Sequence, residues 1–365
     1  MRPVARELRV LALASKAAGI APAQRYRFEQ WAPLLERDHG ISLDLMPFES
    51  PRLTEILYKK GHLTSKAGWV AYDFCRRLKA VLATRSYDAV LIVREAALIG
   101  PAIYERLLAW SGKPILFDFD DAIWMQQPEH RTLLSPLRFQ RKTKTICRLA
   151  NGVTAGNAYL AYIAHRYNNC VSVVPSTIDL NDYPAIPEAR DTSKLIVCWT
   201  GSATTLIHFE QARQALEQVA ERIPLIVKII CSKPPDRPIA GAETRFVPWS
   251  ADGEAREVGN CHVGIMPLPD NEFSRGKCGM KALQYMATGR PVVVSPVGVN
   301  KDIVRDGENG YLAANDQQWI DVLTQLAASP SLRARLGSAG RALVEREYSA
   351  PVGASKFASA VRAII

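Results

Sequence analysis

Residues 270–316 read DNEFSRGKCGMKALQYMATGRPVVVSPVGVNKDIVRDGENGYLAAND. Asp270 to Arg275 is polar, and from Gly276 the apolar positions recur at helical spacing, so a helix is expected from Gly276 to about Ala287. Gly289-Arg290-Pro291 ends it, because glycine relaxes the backbone and proline cannot donate to a continuing helix. Val292–Ser295 follows as a short β-branched run, the pattern of a parallel strand buried on both faces.

The same alternation extends in both directions. Leu8–Ala14, Ser42–Phe48, Asp88–Val93, Pro114–Phe119, Gly152–Ala155 and Val171–Val174 read as strands separated by helix-length segments. A second series runs Leu195–Thr200, Leu225–Cys231, Thr244–Val247, Cys261–Met266 and Pro291–Ser295. Between them, Pro175 to Ser193 carries three prolines and no periodicity. The chain therefore divides into a basic doubly wound domain over 1–180, a linker over 181–193 and a second doubly wound domain over 194–350. Residues 351–365 form a last helix that is free to cross back to the first domain. Ligands are expected at the carboxyl ends of the strands, in a cleft that two such domains share.

With 365 residues, two domains fit better than one. No apolar run approaches the roughly 20 residues of a membrane span. Val10–Ala14 is too short for a secretory signal core and reads as the first strand. The seven cysteines, odd in number and unpaired in spacing, suit reduced thiols of a cytoplasmic protein. Charge is unevenly placed. Residues 1–175 hold 25 Lys+Arg against 15 Asp+Glu, whereas residues 176–365 hold 21 of each, so the net +10 lies in the first half. An anionic partner is expected there. The run Arg131–Ala150, with Arg131, Arg138, Arg141, Lys142, Lys144 and Arg148 and no acid, suits an amphipathic helix on an anionic membrane. Lys59, Lys60, Lys66 and Trp69 mark a second such surface, and a packed helix with a solvated basic face is the alternative. No recognition module accompanies the charge, so nucleic acid is not an expected partner.

The 270–316 stretch, with the Asp306-Gly307-Glu308-Asn309-Gly310 turn before its next short strand, resembles the donor-binding segment of glycosyltransferase family 4. Trp199-Thr200-Gly201-Ser202 resembles that family's glycine turn at the start of its second domain. The first-domain segments Arg25-Tyr26-Arg27, Ile115–Trp124 and Ala155–Leu160 resemble a bacterial-type subset of it. The resemblance implies a GT-B fold, α/β, with two Rossmann-like domains facing each other across a cleft. It also implies a retaining, metal-independent transferase without a cofactor, using a nucleoside-diphosphate sugar as co-substrate and a hydroxyl acceptor such as a lipid-linked saccharide or a cell-surface polysaccharide precursor.

Donor-binding residues are then expected at Gly201, Ser202, Val247, Pro248, Trp249, Arg275, Gly276, Lys277, Cys278, Gly279, Lys281 and Gln284. A helix start offers unpaired N–H groups and a positive dipole end to a diphosphate. Two positions depart from the family. Its paired glutamates, eight apart, are here Gly276 and Gln284, and no Arg or Lys follows Gly201 closely. Lys277, aided by Arg275 or Lys281, is expected to supply the missing charge. Ser202 or Thr204 caps the next helix, and Trp249 either stacks on the base or packs in the core. Asp120 and Asp121, at the end of the fourth strand, join Lys277 as candidate catalytic groups, and Gly19, Arg25, Arg27 and Asn157 as candidate acceptor contacts. Asp118-Phe119-Asp120 also fits the Asp-x-Asp metal signature of GT-A enzymes, though no metal is assigned. A nucleotide-sugar epimerase and a non-catalytic sugar-nucleotide binder are the competing functions.

Overall fold

The computed structural model describes residues 7–57, 59, 61–125, 139, 141–187 and 193–365. Two compact units form, Met1–Ser176 with Ala350–Ile365, and Thr177–Ser349.

Six parallel strands make the first unit's sheet: β1 (Leu8–Ala14), β2 (Ile41–Pro47), β3 (Ala89–Val93), β4 (Ile115–Phe119), β5 (Gly152–Ala155) and β6 (Val171–Val173). Their spatial order is β2-β1-β3-β4-β5-β6. The chain thus moves one way from β1 to β2 and the other way from β3 onward, and the switch point lies between the carboxyl ends of β1 and β3. The central strands are apolar, save for Arg9 near the start of β1 and Asp118 in β4, because helices cover both faces. On one face Phe28, Trp31 and Phe357 pack ring to ring, with centroids 5.3–5.7 Å apart. Phe357 belongs to the helix Ala350–Arg362, so this core is completed by residues that follow the whole second unit.

The second sheet contains β7 (Leu195–Thr200), β8 (Leu225–Cys231), β9 (Glu243–Pro248), β10 (Val263–Met266), β11 (Val292–Val294) and β12 (Tyr311–Leu312), also all parallel. Its order β12-β11-β10-β7-β8-β9 puts the switch point between β7 and β10. Gly264 of β10 lets the Tyr285 ring press onto the sheet, where a Cβ would stand 2.1 Å from that ring. Tyr285 then donates from its hydroxyl to the Cys198 carbonyl of β7 at 2.9 Å. Tyr183, within the stretch read as linker, is buried in this unit.

The helix expected from Gly276 begins later. A short turn of helix covers Glu272–Arg275, the chain breaks over 276–279, and the main helix is Met280–Ala287. Gly279, at φ 69°, makes the break and leaves the helix start without a capping side chain. Of the basic run over 131–150, Arg131 and Arg138 lie outside the described residues, as does Lys60 of the second candidate surface. The helix there is Lys142–Leu149, and its Thr143, Ile146 and Cys147 are buried. Lys142 does not face solvent either. It pairs with Glu95 at 2.6 Å and donates to the Ala97 carbonyl, so it is a core cation of the first unit. Among the described residues no helix is long and apolar enough to cross a membrane.

Candidate functional site

At the second unit's switch point, β7 leads into Gly201, and β10 leads towards the 270–280 loop. Gly201 is required by its neighbour. A Cβ there would stand 2.5 Å from the Trp199 ring and 2.7 Å from Thr205 Oγ1. Ser202 and Thr205 close the turn against each other, Ser202 N–H donating to Thr205 Oγ1 at 3.1 Å and Thr205 Oγ1 donating back to the Ser202 carbonyl. Lys281, in the first turn of Met280–Ala287, sets its ammonium 5.3 Å from the Trp199 ring centroid. Lys277 lies in the break before that helix, its ammonium 4.1 Å from the Phe273 ring centroid. Burial, and then the charge of Lys277, bring Lys281 down from 10.5 to about 8. Lys281 is thus held where the Lys277 charge disfavours its own, at the positive end of a helix dipole.

The other donor candidates differ in their parts. Arg275 is paired with Asp270 at 2.7 Å on the surface. Its backbone is approached by Gly298, where a Cβ would meet the Arg275 carbonyl at 2.8 Å, so the loop after β11 closes tightly on the 275–276 peptide. Gly276 caps Glu272–Arg275, and Cys278 follows Lys277 within the break. Gln284 is buried and donates to the Tyr183 hydroxyl at 2.8 Å. Tyr183 in turn donates to Glu254 at 2.9 Å, and the other oxygen of Glu254 accepts from the Trp249 indole N–H at 2.8 Å. Trp249 is therefore no core residue. It is 39% exposed at the end of the edge strand carrying Val247 and Pro248, with its indole pinned through Glu254 to the helix of Gln284. Sequence reasoning missed Glu254 and Tyr183, because nothing local marks a contact spanning 71 residues.

In the first unit the structure separates the candidates. Arg27 is fully buried, in a five-residue π-helical turn over Arg25–Glu29. It forms a two-pronged pair with Asp118 at 2.5 and 3.1 Å and donates to the Val174 carbonyl. Thr154 donates to the same carboxylate at 2.6 Å. Arg27 is thus a core cation and not an acceptor contact, and the Asp118 carboxylate is committed inward. Asn157 is also buried, and it caps the helix Ala158–His165 by accepting from Leu160 N–H. Gly19, at φ 77°, donates its N–H to the Glu29 carboxylate, while Arg25 covers and bonds the Tyr26 ring hydroxyl at 2.6 Å. Gly19 is exposed in the loop that follows β1, and Arg25 is half-buried at the start of the π-helical turn.

Asp120 and Asp121 follow β4 at its carboxyl end. Arg94, just past β3, donates through Nε and Nη2 to one oxygen of Asp120 at 3.0 and 2.7 Å, and its Nη2 lies 3.9 Å from Asp121. Burial works against the Arg94 charge, but Asp120, with Asp121 behind it, outweighs that and holds the guanidinium above its ordinary value. Among the described residues no group of three or more His, Cys, Asp or Glu is placed to hold a metal.

Residues 195–329, which contain this switch point and both lysines, match the family model described as Glycosyl transferases group 1. The match lies wholly within the second unit. The D-inositol 3-phosphate glycosyltransferase of Actinosynnema mirum is 35% identical over 94 residues, 25% of this chain and 22% of that protein. The protein of the same name from Streptomyces bingchenggensis is 33% identical over 105 residues, again 22% of its length. The chain thus aligns with about a fifth of these curated relatives. Over the whole chain the likeness is one of fold. Anabaena HepE, solved with UDP and glucose, covers 97% of this chain and 99% of its own at a TM-score of 0.66 and 14% identity. Sucrose-phosphate synthase from Thermosynechococcus elongatus covers 98% of each chain at 0.69 and 17%. A glycosyltransferase from Rickettsia africae does so at 0.67 and 10%. The fold is GT-B, with two parallel six-stranded α/β sheets.

Proposed function

We propose that this chain moves a glycosyl group from a nucleoside-diphosphate sugar to a hydroxyl acceptor. The observation that carries this reading is the pairing of Lys277 and Lys281 at the start of Met280–Ala287, beside the Gly201 turn. Their mutual repulsion is relieved by a diphosphate, which also accepts from the helix-start amides. In the reaction the acceptor oxygen bonds to the anomeric carbon as that carbon's bond to the β-phosphate oxygen breaks. The electron pair leaves with the nucleoside diphosphate, and the acceptor proton passes to the leaving phosphate. The lysines and amides favour the charge that grows there. The acceptor attacks from the face that the diphosphate leaves, so the configuration is retained, and the two ammonium groups serve the leaving charge in place of a metal.

Trp249, held by Glu254, offers an exposed ring for the base, and the Val247-Pro248 backbone borders it. The first unit takes the acceptor. The relatives named for D-inositol 3-phosphate support a polyol, and a lipid-linked saccharide presents the same hydroxyl chemistry. For a peripheral, cytoplasmic-face membrane contact, the helix Leu63–Leu82 is the better surface than Lys142–Leu149. It exposes Tyr72, Leu78 and Leu82 on one stripe with Lys79, in the half of the chain that holds the net positive charge.

Incubation with labelled UDP-glucose, and with GDP-linked sugars in parallel, tests the proposal. Slow release of free sugar, or its transfer to a polyol, is expected. An epimerised nucleotide sugar would instead identify an isomerase, and tight binding without turnover a non-catalytic protein.

A further inference from the structure

Arg94 adopts φ 62°, a left-handed conformation that side-chain-bearing residues rarely hold. Glu95 N–H donates back to the Val93 carbonyl at 2.7 Å, closing a three-residue turn around it, a geometry that is strained when its central φ is positive. Such strain persists only where neighbours over-determine it, and it clusters at working sites. The neighbours here come from both flanking helices. Glu105 of Ile103–Trp110, itself buried, accepts from Ala96 N–H at 3.1 Å. Lys142 of Lys142–Leu149 grips Glu95 at 2.6 Å and the Ala97 carbonyl at 2.9 Å. Arg94 N–H is further tied to the Asp118 carbonyl at 2.8 Å, in continuation of the sheet. The turn stands at the carboxyl end of β3, one side of the first unit's switch point, where open α/β sheets bind ligands. What it presents there is a guanidinium held on Asp120 and close to Asp121, with side chains 34%, 13% and 21% exposed.

We propose that Arg94 is the positioning residue of the acceptor site, holding the Asp120 and Asp121 carboxylates to receive the hydroxyl hydrogens of a polyol; this rests on the transferase reading above. A buried structural pair would not need a strained backbone. Asp118 and Arg27, neither of them at positive φ, make one only two residues before Asp120, fully enclosed. Arg94 differs in being strained, clamped and open to solvent. Its planar fork fixes a carboxylate in a way that a lysine cannot.

The test uses the full chain with UDP-glucose as donor and glycerol as the acceptor probe, and reads glucosylglycerol against free glucose. Wild-type protein is expected to favour glycerol beyond its bulk ratio to water. Arg94→Asn keeps a residue that tolerates positive φ, and should lower that preference by about tenfold or more, to the bulk ratio. Arg94→Lys, which keeps the charge without the fork, should fall between. UDP affinity by calorimetry should stay within about twofold, since the diphosphate lysines belong to the other unit. Thermal melts identify a variant that has not folded, and the lysine variant then decides the matter alone. Undiminished glycerol preference in a folded variant overturns the proposal, and so does wild-type capture at the bulk ratio. If wild-type protein neither binds UDP nor releases sugar, the transferase reading itself fails.

Discussion

Raising the pH from 7 to 9 should weaken UDP binding, and Lys281 sets the size of the loss. In the free protein this ammonium titrates at about 8, held there by burial and by Lys277. A bound diphosphate favours the charged form and returns the group towards its ordinary 10.5. The sign follows. Below about pH 7 Lys281 is already charged and contributes no pH dependence. Above 8 it is mostly neutral and must take up a proton on binding, so affinity falls as pH rises. Between pH 7 and 9 the loss is about tenfold, or about 1.4 kcal/mol, and at pH 8 binding takes up about half a proton. Calorimetric titration with UDP in two buffers of different ionisation enthalpy measures both quantities. Lys281→Met should abolish the uptake. Lys277→Ala should move the break to higher pH by the smaller of the two causes, leaving burial. UDP that binds with a flat pH profile and no proton uptake would refute the placing of the diphosphate beside Lys281.

Lys277→Ala should raise donor KM and lower kcat, with kcat/KM down by about ten- to several-hundred-fold and little change in the thermal melt, read by steady-state kinetics with varied donor. Lys281→Met should stabilise the unliganded protein at pH 7, since the held-down ammonium costs stability below about pH 8 and the cost fades towards 10.5; the melting temperature should rise by about 2–4 °C per kcal/mol relieved. Asp118→Ala leaves Arg27 buried without its counter-charge and should cost about 3–5 kcal/mol in denaturant unfolding, while Lys277 variants should not. Sugar release should survive EDTA; abolition by chelator with rescue by Mn²⁺ would reinstate a metal at the aspartates after β4.

The strands were legible to within a residue or two because parallel strands covered on both faces are largely apolar runs, as in Leu195–Thr200 and, Lys228 apart, in Leu225–Cys231. The helix start was not. Gly276 and Gly279 both permit a break, and only φ 69° at the second shows which one the chain uses. Charged residues were the least legible. Arg27 and Lys142 look like surface cations in the sequence, yet each is buried by an acid brought close only by the fold, Asp118 from 91 residues away and Glu95 from a different loop. Arg94 carried no signal at all, since its backbone angle and its hold on Asp120 exist only in three dimensions.

The helix Ala350–Arg362 also imposes an order of assembly on a ribosome. Trp31 and Phe28 leave the exit tunnel early, but their partner Phe357 is added only after the whole second sheet has been made. The second unit is one continuous stretch, Thr177–Ser349, and is able to close as soon as it emerges. The first-made unit is therefore the last to finish, and its aromatic face waits uncovered through the synthesis of everything between. Domains made first ordinarily fold first. Shortening the chain by that helix should therefore leave the later unit intact while the earlier one aggregates.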